Sequence, residues 1–86
     1  MIDARRKNIL EMLVREYIKT AEPVSSEQVA SRMRRALSSA SVRSIFSDLT
    51  CEGYIEQPHV SGGRVPRAQG YRFFADQMIH GESHEA

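Results

Sequence analysis

The chain has 86 residues, 41% of them hydrophobic and 27% charged, with a formal net charge of +1. That suffices for one domain with one modest core, about 60% of the unfolded surface being buried at this size. No apolar run nears the ~20 residues that span a bilayer, and the single cysteine, Cys51, excludes an internal disulfide framework and fits a reducing cytoplasm. The opening MIDARRKNILEML is charged and helix-periodic, so no signal peptide is expected there. Net charge alone points to no acidic partner, but its distribution does. From Gln28 to Ser47 there are four arginines (Arg32, Arg34, Arg35 and Arg43) and no acid, and from Gln57 to Ala75 three more (Arg64, Arg67 and Arg72), again with no acid. Arginine's planar donor fork suits phosphate and guanine.

Residues 3–19 read as a first helix, with Ile9, Leu10, Leu13, Val14 and Tyr17 on its apolar face and Asp3 as cap. Pro23 disfavours helical geometry in the residue before it, so the helix stops at Thr20-Ala21-Glu22. A second start follows: Ser25 and Gln28 form a capping box and Val24 and Val29 a hydrophobic staple, with Ser26 a competing cap. This short helix runs to about Arg34, and a tight link leads to the next. From Ser38 to Gly53, Val42, Ile45, Phe46 and Leu49 repeat at i, i+3, i+4 and i+7, with Ser38 or Ser39 at the start and Gly53 at the end. The opposite face holds Ala40, Arg43, Ser44 and Ser47. It is small and hydrogen-bonding, without the mixed Glu and Lys of a solvated surface. Two short helices so joined are the pattern of a helix-turn-helix.

After Gly53 the period falls toward 2. Tyr54 to Gln57 reads as a short strand ending at Pro58, and Ser61-Gly62-Gly63 as a turn, giving a β-hairpin whose tip presents Arg64. From Gln69 onward Tyr71, Phe74, Ala75 and Met78 form the stripe of a last helix. Phe73 and Ile79 lie off it, as a second core contact or an exposed apolar strip. Residues 81–86 read as a polar, frayed tail after a domain spanning 1–80. The fold class is mainly α with a small β-hairpin: a winged helix-turn-helix with three helices, a two-stranded wing and a closing C-terminal helix. In that architecture the third helix enters the major groove and the wing flanks it.

No enzyme is read here. Cys51 and His59 lack an acidic orienter, and Cys51 is expected to be buried or half-buried. His59, His80 and His84 do not have metal-ligand spacing with one cysteine, and Ser61-Gly62-Gly63-Arg64 lacks the strand–loop–helix context of a phosphate loop. Neither a metal nor a cofactor is expected.

The stretches YIKTAEPVSSEQV, LSSASVRSIFSDL and GYIEQPHVSGGRVPRAQGYRFFADQMI closely resemble the N-terminal DNA-binding domain of the HrcA-type heat-inducible repressors, over roughly residues 5–79. Ser39, Ala40, Ser41, Val42 and Arg43 match the family's Ser-Ala-Thr-Ile-Arg. Pro58, His59, Ser61, Gly63, Arg64 and Pro66 match its wing signature, and Gly70-Tyr71-Arg72 the start of the closing helix. The resemblance implies a cytoplasmic transcription repressor of the heat-shock stress response. Such a repressor binds an inverted-repeat operator in double-stranded DNA as a homodimer, supported by the chaperonin. On this reading Arg43 and Ser44 read base edges, Ser39 and Ser41 donate to phosphates, and Arg64 enters the minor groove or meets its backbone. Ala40, Ser47, His59, Ser61 and Gly63 complete the candidate surface. The chain departs from the family at Ser44 (Asn), Val60 (Thr), Gly62 (Ala), Arg67 (a Thr able to cap the last helix) and Ala21 (Gly), and the family's full chain is several times longer. The rival reading is a protein-interaction module using Phe73, Met78 and Ile79, or a truncated relative that modulates a full-length repressor.

Overall fold

Every backbone N–H in the first turn of a helix lacks an intrahelical partner, and the first three helices here begin where a side chain supplies one. The computed structural model describes residues 2–34, 36–60 and 62–81. Helix α1 is Ala4–Thr20, with the Asp3 carboxylate accepting from the Arg6 N–H at 2.9 Å. Ile9, Leu10, Leu13 and Val14 are fully buried, and Tyr17 packs against them half-buried, as its spacing requires. The helix closes at Ala21, whose N–H donates to the Tyr17 carbonyl at 2.7 Å from a left-handed backbone, φ 59°.

Helix α2 is Ser26–Arg32. Ser25, not Ser26, is its cap: Ser25 Oγ accepts from the Gln28 N–H at 3.1 Å, and Gln28 Oε1 accepts from the Ser25 N–H at 2.9 Å. It ends two residues before the expected Arg34, which turns left-handed at φ 57° to lead into the next helix. Arg35, within that link, lies outside the described residues. Helix α3 is Ser39–Cys51, with Ser38 Oγ accepting from the Ser41 N–H at 3.1 Å. Val42, Ile45, Phe46 and Leu49 are its buried face. It closes in a Schellman motif, the Gly53 N–H donating to the Thr50 carbonyl at 3.1 Å and the Tyr54 N–H to Leu49 at 3.0 Å. Cys51, expected at least half-buried, is exposed: it is the last residue of α3, past the end of the Val42–Leu49 stripe.

The strands are short. β1 (Ile55–Glu56) pairs antiparallel with β2 (Val65–Pro66), Ile55 facing Pro66 and Glu56 facing Val65. Helix α4 is Ala68–Gly81, so Gly81 belongs to it, and the expected fraying of residues 82–86 lies outside the described residues. Its inward face is turned by one residue from the expected stripe: Gly70 is buried and Phe73, Phe74 and Gln77 are half-buried, whereas Tyr71, Ala75 and Met78 are exposed. The cause is Gly70, where a Cβ would stand 2.4 Å from the Tyr54 carbonyl oxygen, so the helix backbone seats against the start of the wing there. Phe73 then meets the Tyr54 ring edge-on at 5.9 Å, and Ile79 stays exposed.

Two charged clasps tie α1 to the helices it supports. Glu16, only 4% exposed, forms an ion pair with Arg32, whose Nε lies 2.6 Å from its Oε2, and has Lys19 Nζ at 4.0 Å. Arg6 donates from Nη2 at 2.9 Å and Nε at 3.3 Å to Asp48 Oδ2 on α3, and this bond holds the guanidinium pKa above its ordinary value. No helix among the described residues is long and apolar enough to cross a membrane.

A left-handed alanine costs about 1–2 kcal/mol, partly offset by the greater backbone entropy glycine loses. Ala21→Gly is therefore expected to raise stability by about 0.5–1 kcal/mol, read as a rise of a few degrees in the thermal midpoint. At the other end of the fold, Arg67 stands in the cap position of α4, its carbonyl accepting from the Tyr71 N–H at 3.0 Å. Arg67→Thr supplies a hydroxyl for the first turn and is expected to stabilise by about 1 kcal/mol in urea unfolding.

Candidate nucleic-acid interface

The face of α3 away from the core is set by helical geometry once Val42, Ile45, Phe46 and Leu49 are buried. Ala40, Arg43, Ser44 and Ser47 are all exposed on that side, as their spacing predicts. At its N-terminal end, Ser38 Oγ donates to Ser41 Oγ at 3.2 Å, which leaves the exposed Ser41 hydroxyl its own proton to give outward. Ser39 differs from its neighbours. It is half-buried and lines the cleft between α2 and α3 with Glu16, Glu27 and Arg34, so two carboxylates share its surroundings. Among the acid-free window's arginines, Arg32 is held by Glu16. Arg43 and Arg64 have no carboxylate partner among the described residues.

The wing is built differently from a free hairpin. Arg64 does not sit at its tip but pairs with Val24: the Arg64 N–H donates to the Val24 carbonyl at 2.8 Å, and the Val24 N–H to the Arg64 carbonyl at 2.9 Å. This one-residue bridge adds a third chain segment beside the hairpin. Gly63 is what allows it, because a Cβ there would lie 2.4 Å from the Val24 oxygen and 2.5 Å from its carbonyl carbon. The close approach that the glycine pair provides is thus to the chain's own backbone. The Arg64 side chain is half-buried, its guanidinium carbon 5.7 Å from the centroid of the Phe46 ring. It shares a cavity with Arg43, so residues 21 apart in sequence converge between the third helix and the wing. His59 is exposed near the tip, its carbonyl accepting from the Gly62 N–H at 3.3 Å, and Val60 is 95% exposed beside it. Ser61 lies outside the described residues.

Two features of this surface were not read from the residues. Val24, counted only as half of a hydrophobic staple, is also the pairing partner of the wing. A β-branched residue between Pro23 and a cap was the available signal, but one residue has no periodicity. Phe46, read as core, also carries Arg64 on its ring, a contact with no local sequence mark.

A small, polar helix face with one guanidinium thus lies between a capped α2 and a bridged wing, and comparison with known proteins shows the family. A model of the HrcA winged helix-turn-helix transcription repressor DNA-binding domain matches residues 1–80. The chain belongs to this family. Proteins named heat-inducible transcription repressor HrcA are 47% identical over 78 residues in Acetivibrio thermocellus, covering 91% of this chain, and 44% identical over 82 residues in Clostridium perfringens, covering 95%. One from Thermoanaerobacter pseudethanolicus is 45% identical over 78 residues. A crystal structure of a hypothetical protein superposes with a TM-score of 0.86 at 39% identity, over 92% of this chain and 25% of that one. The chain spans 22–24% of the length of these curated relatives.

The two wing glycines make opposite predictions. Gly63→Ala forces apart the bridge to Val24 and is expected to destabilise by about 1–3 kcal/mol. Gly62→Ala meets nothing nearer than His59 Cβ at 3.6 Å. It is expected to be neutral or to stabilise by about 0.4–1 kcal/mol through the unfolded chain. Paired thermal melts of the two variants separate these outcomes.

Proposed function

We propose that the chain is the sequence-specific DNA-binding part of a bacterial heat-inducible transcription repressor. It acts on chromosomal DNA in the cytoplasm and binds one half of an inverted-repeat operator as part of a homodimer. The observation that carries the reading is the outer face of α3. Four exposed residues there are small or hydrogen-bonding, with a single unpaired guanidinium, Arg43, while the opposite face is locked into the core. Such a face can approach the base edges of the major groove closely and offers them hydrogen-bonding groups and one guanidinium. Family membership and the names of the relatives support the same conclusion.

Within this reading Arg43 and Ser44 read base edges, Ser47 and Ala40 lie along the groove floor, and Ser41 donates to a phosphate at the α3 N-terminus. Ser39, expected to donate to a phosphate as Ser41 does, stands farther back, half-buried at the α2–α3 cleft with Glu16 and Glu27, a setting less suited to an anion. His59, Gly63 and Arg64 meet the flanking backbone. Chaperonin support of repression would act through parts of the full-length relatives beyond this length, which is where the homodimer contacts also belong.

The experiment is selection of bound duplexes from a random pool, followed by gel shifts across salt concentrations. A single enriched half-site and an affinity falling steeply with salt are expected. No duplex binding at low salt, with a stable complex to a protein instead, would favour the interaction-module reading through the exposed Met78 and Ile79. On the selected site, Arg43→Ala is expected to lose about 1–3 kcal/mol and to relax preference at one base pair. Ser44→Asn, which restores an amide able to bridge two adenine positions, is expected to shift the preferred base at one neighbouring pair, read by repeating the selection.

A further inference from the structure

Helix α3 carries a single carboxylate, Asp48. It follows Ser47 and stands one turn beyond Ser44, so it borders the outer face, and its side chain is 46% exposed. An unanswered carboxylate there would oppose the approach of this helix to a polyanion. Its answer comes from 42 positions earlier, from Arg6 in the first turn of α1. Arg6 Nη2 at 2.9 Å and Nε at 3.3 Å both donate to Asp48 Oδ2, and Nη1 lies 3.4 Å from Asp3 Oδ2. Each of the three guanidinium nitrogens therefore faces a carboxylate of its own chain.

Within the fold this pair orients α3 at little gain in stability, because both side chains are partly exposed and solvent screens them. Seen from outside the molecule, the same contact sets the charge on the flank of α3. The other carboxylates that act on Arg6 lie outside that helix, since Asp3 caps α1 and Glu52 is the residue after the last turn of α3. Asp48 is the one placed beside Ser44 and Ser47. We propose that Arg6 is the built-in counter-ion of α3: by neutralising Asp48 it lets the helix lie against DNA, without itself touching a phosphate. The proposal rests on the DNA-binding reading and adds to it a positioning residue outside the helix-turn-helix and the wing. The carboxylate ties α3 to α1, and the guanidinium removes the repulsion that this tie would otherwise bring.

The test is a set of gel-shift titrations on the selected duplex at low and high salt, with Arg6→Gln, Asp48→Asn and the double variant, each one that melts cooperatively. Asp48→Asn keeps an oxygen for Arg6 and removes only the charge. At low salt Arg6→Gln is expected to weaken binding roughly 2- to 5-fold, the range of one exposed charge pair. Asp48→Asn strengthens binding by a similar factor, and the double variant returns to the wild-type affinity. These differences shrink as salt rises, because screening shortens the reach of a charge, while the preferred bases stay the same. Asp76→Asn, which removes an exposed carboxylate of α4 instead, restores nothing in the Arg6→Gln background.

A double variant as weak as Arg6→Gln means that Arg6 meets a phosphate directly, and the proposal is overturned. It is overturned also if Asp48→Asn weakens binding as Arg6→Gln does, since the pair then serves only to orient α3. Rescue by Asp76→Asn, or no loss in Arg6→Gln at low salt, overturns it as well. Failure of the wild-type domain to bind any duplex is a different result: it overturns the DNA-binding reading itself.

Discussion

The pairing of Val24 with Arg64 is the constraint on which the arrangement of this domain rests. Val24 is the residue before the cap of α2, and Arg64 follows the wing turn, so two hydrogen bonds join the start of the helix-turn-helix to the wing. Val24 is fully buried, which keeps water from competing for those bonds. Gly63 permits the approach, and Phe46 closes the space beneath it. Remove the bridge, and α2, α3 and the hairpin would each remain locally satisfied by their own caps and turns, but the wing would lose its hydrogen-bonded tie to the start of α2.

The charged clasps set the other half of that placement. Arg6 reaches from the first turn of α1 to Asp48 in the third turn of α3, and Glu16 reaches from the last turns of α1 to Arg32 at the end of α2. They differ in kind. The Arg6 pair is partly exposed and screened by solvent, so its worth lies in orientation more than in energy. Glu16 is only 4% exposed, and without Arg32 its carboxylate would keep only the longer contact with Lys19, at 4.0 Å, so breaking this pair costs more than breaking the first. One is a guide and the other a lock.

How much of this was legible depended on whether a residue's role is local. The caps at Asp3, Ser25 and Ser38, the buried stripe of α3 and its glycine stop follow from hydrogen bonds within a few residues, and the chain declares them. The inward face of α4 was misjudged by one residue because Tyr71, Phe74 and Met78 form a regular apolar series. Gly70, which has no hydrophobic signal at all, decided the rotation by steric fit against Tyr54. Arg64 was displaced from the tip to the base of the wing for the same reason: its partner lies 40 positions earlier, at a single residue with no pattern. The outer face of α3 was visible in outline, as what remains once the core is assigned. The company Arg64 keeps was not.

Glu16 has a consequence beyond packing. By neutralising Arg32 it removes one cation from the α2 side of the molecule, while Arg43 and Arg64 stay unopposed on the α3–wing side. On the DNA-binding reading proposed above, those two guanidinium groups draw a polyanion toward the α3–wing side during diffusion, so that more first collisions are productive and capture is faster.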